Sequence, residues 1–192
     1  RQGVVHFIRD LQSLRALGLK RISMTTNGHY LAKYAEQLKQ AGLDDLNISL
    51  DSLDATQFKQ LTQKDLAPVM HGIAAVQHVG LPIKINCVLM KGQNDDQIVP
   101  MVKWAKQQNI PLRFIEFMPL DGDQHWTHQA VISEAEILEQ LTPHYQIKEI
   151  PQQHEPARTY QLDGEYAIGI ISTITHSFCG DCDRIRLTAQ GE

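Results

Sequence analysis

The segment AGLDDLNISLDS, residues 41–52, carries the pattern that decides the fold. It opens with Ala41-Gly42-Leu43, which is typical of a helix end, because Gly adopts the left-handed conformation that closes a helix and the next apolar residue packs back on the last turn. From Leu46 onward, apolar residues alternate with polar ones, the two-residue period of a strand. The segment therefore predicts a helix followed by a short strand with two different faces.

The same arrangement recurs three more times before residue 118. The other predicted helix ends are Gly18, Gly80 and Asn109, and each is followed by a β-prone run. The predicted helices carry apolar residues at helical spacing: Val4, Phe7, Ile8, Leu11 and Leu14; Leu31, Tyr34, Ala35 and Leu38; Val69, Met70, Ile73 and Val76; Ile98, Val102 and Ala105. Because strands separated by helices run parallel, the pattern predicts an α/β fold.

Polar residues lie on one face of these predicted strands. Asn47 and Ser49 share a face, Lys84 and Asn86 share another, and Arg113 interrupts a fourth run. An unpaired Lys or Arg in a dry core costs several kcal/mol, so we expect this face to line a binding cavity. We therefore predict a barrel with a polar interior over residues 1–126. The alternative is an open doubly wound sheet with polar residues at its edges.

The pattern changes after Met118. Ser133 and Glu136 form a capping box that opens a helix through Leu141. Short β-like runs follow at 145–150, 158–162 and 166–171. We predict that residues 127–192 are a C-terminal α+β extension of the barrel.

Composition excludes several classes of protein. The 192 residues are 42% hydrophobic and 21% charged, so the chain can bury a core without disulfides. A net charge of -4 argues against a duplex nucleic-acid partner. No apolar run approaches the ~20 residues of a membrane span, and no secretory signal is present, so we expect a cytoplasmic protein without membrane contact. A start at Arg1 and an end at Glu192 lead us to expect a fragment.

Cys179 and Cys182 form a tight pair in the run FCGDCDRIRL, residues 178–187. Two thiolates at this spacing suit half of a zinc ribbon, part of an iron-sulfur site, a redox disulfide or a chance pair. The redox alternative is weaker because the pair precedes a predicted strand and not a helix. Cys87 lies in an apolar strand and is expected to be a buried hydrophobe.

Other polar residues have both a functional and a structural interpretation. Arg184 and Arg186 project to one side beside the cysteines, which suits either a polyphosphate or ion pairs at a solvated edge. Thr25 ends a strand, where barrel active sites gather, but a plain turn explains it equally well. His125 and His128 lack a neighbouring ligand and are expected to be surface or capping residues.

Five motifs in order are more specific than any of them alone. They are TTNG at 25–28, NISLDSLD at 47–54, IKIN at 83–86 with KGQNDD at 91–96, RFIEFM at 113–118, and FCGDCDRIRL at 178–187. The series closely resembles the GTP 3',8-cyclases, the family of radical S-adenosylmethionine enzymes that begins molybdenum cofactor biosynthesis.

The resemblance implies a partial (βα)6 TIM-like barrel, with two 4Fe-4S clusters and S-adenosylmethionine as cofactors and GTP as substrate. In that family, one cluster cleaves S-adenosylmethionine to a radical that abstracts the ribose 3' hydrogen, and the second cluster binds the guanine base. It further implies hand-off of the product to cyclic pyranopterin monophosphate synthase, and a homodimer.

The resemblance also assigns site residues by position. It implies GTP contacts at Thr25, Lys84, Arg113, Arg184, Ile185 and Arg186, S-adenosylmethionine contacts at Ser49 and Met118, and ligands of the second cluster at Cys179 and Cys182. The first-cluster motif would precede Arg1 and the last cysteine would follow Glu192, so we expect the isolated fragment to be inactive. The open alternatives are a zinc-stabilised nucleotide-binding module and a radical S-adenosylmethionine enzyme that acts on a peptide.

Overall fold

The computed structural model describes residues 3–119, 127–151 and 157–175. In these ranges the α-helices are α1 Val4–Leu11, α2 Leu31–Gln40, α3 Ala55–Thr62, α4 Leu66–His78, α5 Ile98–Gln108 and α6 Glu134–Leu141. The strands are β1 Ser23–Thr26, β2 Asp45–Ser49, β3 Ile83–Leu89, β4 Leu112–Glu116, β5 Ile147–Ile150, β6 Arg158–Leu162 and β7 Tyr166–Ile171. None of the helices in the described ranges has the length and apolarity that a bilayer crossing requires.

All of these strands join one sheet in the order β1-β2-β3-β4-β7-β6-β5. The pairs from β1 to β7 are parallel, and β6 and β5 continue the sheet antiparallel. Sequential parallel strands with right-handed crossovers place their helices on the same face, as in a barrel wall. A doubly wound sheet would reverse its strand order at a switch point. The predicted α/β, TIM-like fold is confirmed, and the doubly wound alternative does not fit this order.

Left-handed residues close the helices as the sequence predicted. Gly42 has φ 87° and Asn109 has φ 53°, and Gly18 and Gly80 are also left-handed. The N–H of Leu43 donates to the carbonyl of Leu38 at 3.2 Å, which is the hydrogen bond of a Schellman motif. Leu43 is itself buried, so this closure also directs an apolar side chain into the core.

The two sheet faces differ strongly in burial. On β3 and β4 the buried and half-buried residues alternate strictly. The buried face carries fully buried side chains such as Ile48, Ile85 and Phe114. Cys87 also lies on this face and is 0% exposed, which confirms the prediction of a buried hydrophobe.

Two local expectations from apolar spacing are wrong. Phe7 is 62% exposed, because α1 buries only a narrow stripe through Val5 and Ile8. Leu14 is 41% exposed, because α1 ends at Leu11 and Leu14 lies in the 3₁₀ helix Gln12–Leu17, which buries none of its residues. Helix α3 was not predicted, although Asp54 marks its start: the Asp54 carboxylate accepts the Gln57 N–H at 2.7 Å.

The later part of the chain packs onto the same sheet. Helix α6 begins with the predicted capping box of Ser133 and Glu136. Strand β7 lies beside β4 with Arg113 opposite Gly169, although β5 and β6 precede it in the chain. The sheet therefore runs without a break from β1 into the C-terminal strands. The division of the chain between residues 126 and 127 stays a prediction.

Candidate functional site

In-register pairing arranges the predicted polar residues, together with Thr25 and Gly169, in two rows on one face, which we call the polar face. The first row is Thr25, Asn47 and Lys84, and the second is Ser49, Asn86, Arg113 and Gly169. Neighbouring strands lie about 4.8 Å apart, so Thr25 and Lys84, like Ser49 and Arg113, are separated by roughly 10 Å. The rows are two residues apart along each strand, or about 7 Å. This area has the dimensions of a nucleotide-sized ligand.

Asn86 occupies the centre of the second row and has an unsatisfied acceptor. Its side-chain Oδ1 is buried and has no hydrogen-bond partner. Leaving a buried acceptor unpaired costs about 1–3 kcal/mol, so structures retain few of them without a reason. A ligand donor beside Ser49 and Arg113 would satisfy this oxygen. The polar face therefore fits a polar ligand.

Lys84 contributes positive charge near the amino ends of the strands. Burial alone would raise the pKa of Asp45, but hydrogen bonds from Arg21 and Ser23 and the charge of Lys84 lower it. The Arg21 Nε donates to Asp45 at 2.5 Å. Lys84 also borders an open cleft of about 570 Å³. The cleft lies at the amino edge, opposite the carboxyl edge where the active sites of TIM barrels lie.

The loops at the carboxyl edge are held by two buried amides that the sequence analysis did not assign. Asn94 Nδ2 donates to the carbonyls of Asp51 at 2.7 Å and Val88 at 2.9 Å, and its Oδ1 accepts the Met90 N–H at 2.7 Å. Gln97 Oε1 accepts a hydrogen bond of 3.0 Å from the N–H of Leu53, in the loop between β2 and α3. The KGQNDD motif therefore fixes the loop after β2. The position of this motif between a strand and a helix is the sequence feature that could have indicated this role.

Asp51 is half-buried, and its charge acts on the fully buried thiol of Cys87. Burial raises the pKa of Asp51, while the Val88 N–H, at 2.8 Å, works against the shift. Burial also raises the pKa of the Cys87 thiol well above its usual value, and the charge of Asp51 adds to this. A metal or cluster ligand must be a thiolate, so Cys87 is unsuited to that role.

Two buried carboxylates anchor the chain just after β7. Glu116, at the end of β4, accepts the N–H groups of Ile174 at 2.8 Å and Thr175 at 3.0 Å. Glu134, at the start of α6, accepts the hydroxyl groups of Tyr160 at 2.5 Å and of Ser172. Sequence reasoning missed both, because a carboxylate buried by distant partners leaves no local pattern.

The remaining predicted site residues are divided between the described and undescribed parts. Met118 is half-buried, two residues beyond β4, and His128 is exposed, as predicted. His125, Cys179, Cys182, Arg184, Ile185 and Arg186 lie outside the described residues. Within the ranges 3–119, 127–151 and 157–175, no group of three His, Cys, Asp or Glu could hold a metal ion.

Comparison of the sequence with known protein families identifies the family of this chain. The sequence profile of the Radical SAM superfamily matches residues 4–105, which include β1, β2, β3 and most of the polar face. The chain belongs to the radical SAM superfamily. A second profile, Molybdenum Cofactor Synthesis C, matches residues 110–192.

Relatives of this radical SAM chain share one name. The chain is 39% identical to a GTP 3',8-cyclase of Alkaliphilus oremlandii (strain OhILAs), 38% to one of Streptomyces coelicolor and 41% to one of Pseudomonas putida (strain W619). Each match covers 100% of this chain and 58–60% of the relative. The chain therefore spans about 60% of the length of these relatives.

A solved structure supports the fold of the radical SAM chain. It is titled "Structure of TYW1 with a lysine-pyruvate adduct bound" and superposes with a TM-score of 0.53 at 15% identity. The match covers 76% of this chain and 48% of that one, and it concerns the fold alone. Membership in the superfamily implies 4Fe-4S chemistry and S-adenosylmethionine. The described residues fit the ligand-binding part of such a site and not its cluster.

Proposed function

We propose that the protein containing this chain is a GTP 3',8-cyclase of molybdenum cofactor biosynthesis. It would convert GTP to (8S)-3',8-cyclo-7,8-dihydroguanosine 5'-triphosphate. The observation that carries the proposal is the polar face, on which Lys84 and Arg113 lie in adjacent rows. Similarity to proteins named GTP 3',8-cyclase along the whole chain supports it.

The cations of the polar face would bind the triphosphate. Arg113 offers a planar donor fork that matches phosphate oxygens, and Lys84 offers a point charge one row away. Thr25 would add a hydroxyl donor at the end of the first row. We propose that Arg184, Ile185 and Arg186 complete the GTP site.

S-adenosylmethionine would lie on the same face, next to GTP. Ser49 would donate its hydroxyl, and Met118 would contact the ligand from beyond the end of β4. The orphaned amide oxygen of Asn86 stands between Ser49 and Arg113 and can accept from either ligand. The buried amides of Asn94 and Gln97 keep the surrounding loops in place, which pre-orients the ligands.

Two 4Fe-4S clusters complete the proposal, and Cys179 and Cys182 would be ligands of the second. When bound, the clusters and S-adenosylmethionine supply a radical that removes hydrogen from the ribose of GTP. The role of this chain is to align the substrate and to exclude water. We propose that residues 1–126 form the partial barrel and that residues 127–192 carry the second cluster's ligands.

The proposal extends to the setting of the enzyme. The protein would be a cytoplasmic homodimer without nucleic-acid or membrane partners, and its product would pass to cyclic pyranopterin monophosphate synthase.

The test uses the full-length protein, reconstituted with iron and sulfide without oxygen. With GTP, S-adenosylmethionine and a reductant, liquid chromatography coupled to mass spectrometry should detect a new nucleotide that has the mass of GTP but a different retention time. Omission of S-adenosylmethionine is the control. Zinc without iron, or cleavage of S-adenosylmethionine with GTP left intact, would contradict the proposal.

A further inference from the structure

Gly169 stands in the middle of β7, where a glycine weakens a strand. It is buried, lies between Ile168 and Ile170, and pairs with Arg113 on one side and Thr159 on the other. Glycine in a strand interior contributes no packing and costs conformational entropy, and it often marks a close approach. Its φ is outside the left-handed region, so the backbone conformation does not require glycine.

The space around Gly169 explains the residue. A Cβ added there would lie 3.1 Å from Cγ of Arg113 and 3.2 Å from Cβ of Ala157. Carbon atoms in favourable contact are about 3.5–4.0 Å apart, so the added atom would be wedged between the two. The stem of Arg113 therefore crosses β7 where the sheet has no side chain.

The two neighbouring atoms, in Ala157 and Arg113, differ in how easily they can move. Cβ of Ala157 is fixed to the backbone just before β6, and Ala157 is 2% exposed. Cγ of Arg113 moves by rotation about a single side-chain bond. An added methyl group at position 169 would therefore displace the arginine first, and the displacement would carry the guanidinium away from its present position on the polar face.

We infer that Gly169 is a positioning residue: it leaves room for the side chain of Arg113 in the orientation that binds an anionic ligand with several phosphate oxygens. The inference rests on the proposed function, in which Arg113 contacts the triphosphate. An arginine side chain loses much conformational freedom when it binds a ligand. Packing of the Arg113 stem against the backbone of β7 restricts that freedom before the ligand binds. Gly169 acts through Arg113 and touches no ligand itself.

The test is a double-mutant cycle on GTP affinity in the full-length, reconstituted protein. Gly169→Ala should raise the Kd for GTP about tenfold, the equivalent of 1.4 kcal/mol. In the Arg113→Ala background, Cγ is absent and Gly169→Ala should change the Kd by less than about twofold. Ala167→Val is the matched control, because it adds volume to the same face of β7 one row away; it should leave GTP affinity unchanged.

The outcomes separate this inference from the proposed function. An equal loss of affinity from Gly169→Ala in both backgrounds, or no loss in either, overturns the role of Gly169. Arg113→Ala with wild-type affinity instead overturns the proposed role of Arg113. If Gly169→Ala alone does not fold, recovery of folded protein in the double variant supports the steric relationship, and failure of both variants overturns it.

Discussion

The side-chain amide of Asn94 donates a hydrogen bond of 2.7 Å to the main-chain carbonyl of Asp51, 43 residues away in the sequence. Asn94 is fully buried, and the other two hydrogen bonds of its side chain are with Val88 near the end of β3 and with Met90 just after it. One side chain thus joins the loops that follow β2 and β3. Both loops border the polar face at its carboxyl edge.

Removal of this amide should destabilise the protein. Asn94→Ala leaves two buried carbonyls and one N–H without partners, so we expect a loss of about 3 kcal/mol in the free energy of unfolding. Urea unfolding of the full-length protein measures it. Gln93→Ala, an exposed neighbour, should cost less than about 0.5 kcal/mol. Equal midpoints for the two variants would show that the amide does not hold the loops.

The ion pair of Lys91 and Glu136 should make stability depend on acid pH. Hydrogen bonds from Lys91 and from the N–H and hydroxyl of Ser133 lower the pKa of Glu136 to about 2. A carboxyl whose pKa is lower in the folded state stabilises it above the unfolded pKa, and this stability is lost as pH falls from about 4.5 to about 2.

Glu136→Gln should therefore flatten the decline in the unfolding free energy of the full-length apoprotein between pH 5 and 3. The side chain is 38% exposed, so solvent screening keeps the effect modest. Glu139→Gln on the same helix controls for the loss of one charge. If both variants show the wild-type slope, the ion pair does not contribute.

Glu116 should determine the order of the segment after β7. Its carboxylate accepts the N–H groups of Ile174 and Thr175, so Glu116→Ala should speed amide hydrogen exchange at both positions. Glu116→Gln keeps one acceptor oxygen and should preserve most of the protection. Unchanged exchange in the Ala variant would contradict this anchoring role.

Cys87 should be neither reactive nor a cluster ligand. It is fully buried and burial raises its pKa, so iodoacetamide should label it only after unfolding, as measured by peptide mass spectrometry. Cys87→Ala should retain the iron content of the reconstituted full-length protein, whereas Cys179→Ala should reduce it. Loss of iron from the Cys87 variant would reverse the assignment.

Much of the fold could be predicted from local chemistry. Gly42 and Asn109 end helices because the left-handed conformation is accessible to them, and that property belongs to single residues. The alternation of apolar and polar residues through Asn47 and Ser49 likewise indicates a strand with one buried face and one polar face. The position of β7 beside β4 could not be predicted in this way, because a period of two residues specifies a strand but not its neighbour.

The candidate site shows the same division. Ser49, Lys84 and Arg113 were predicted to share a polar face, and the register brings them there. Thr25 was predicted only to end a strand, and the register adds it to the same face. The roles of Asn94 and Glu116 depend on partners more than 40 residues away, and Gly169 depends on a neighbouring strand. These relationships are properties of the packed structure and leave no periodic signal.

The most direct test of the polar face as the triphosphate site is equilibrium binding of GTP to the full-length, reconstituted protein. Lys84→Met should raise the Kd about tenfold or more, because a charge-assisted contact contributes about 1.5–3 kcal/mol. Lys103→Met removes the same charge from an exposed position on α5 and should leave the Kd unchanged. Equal affinities for GTP in the wild type and the Lys84 variant would contradict the account.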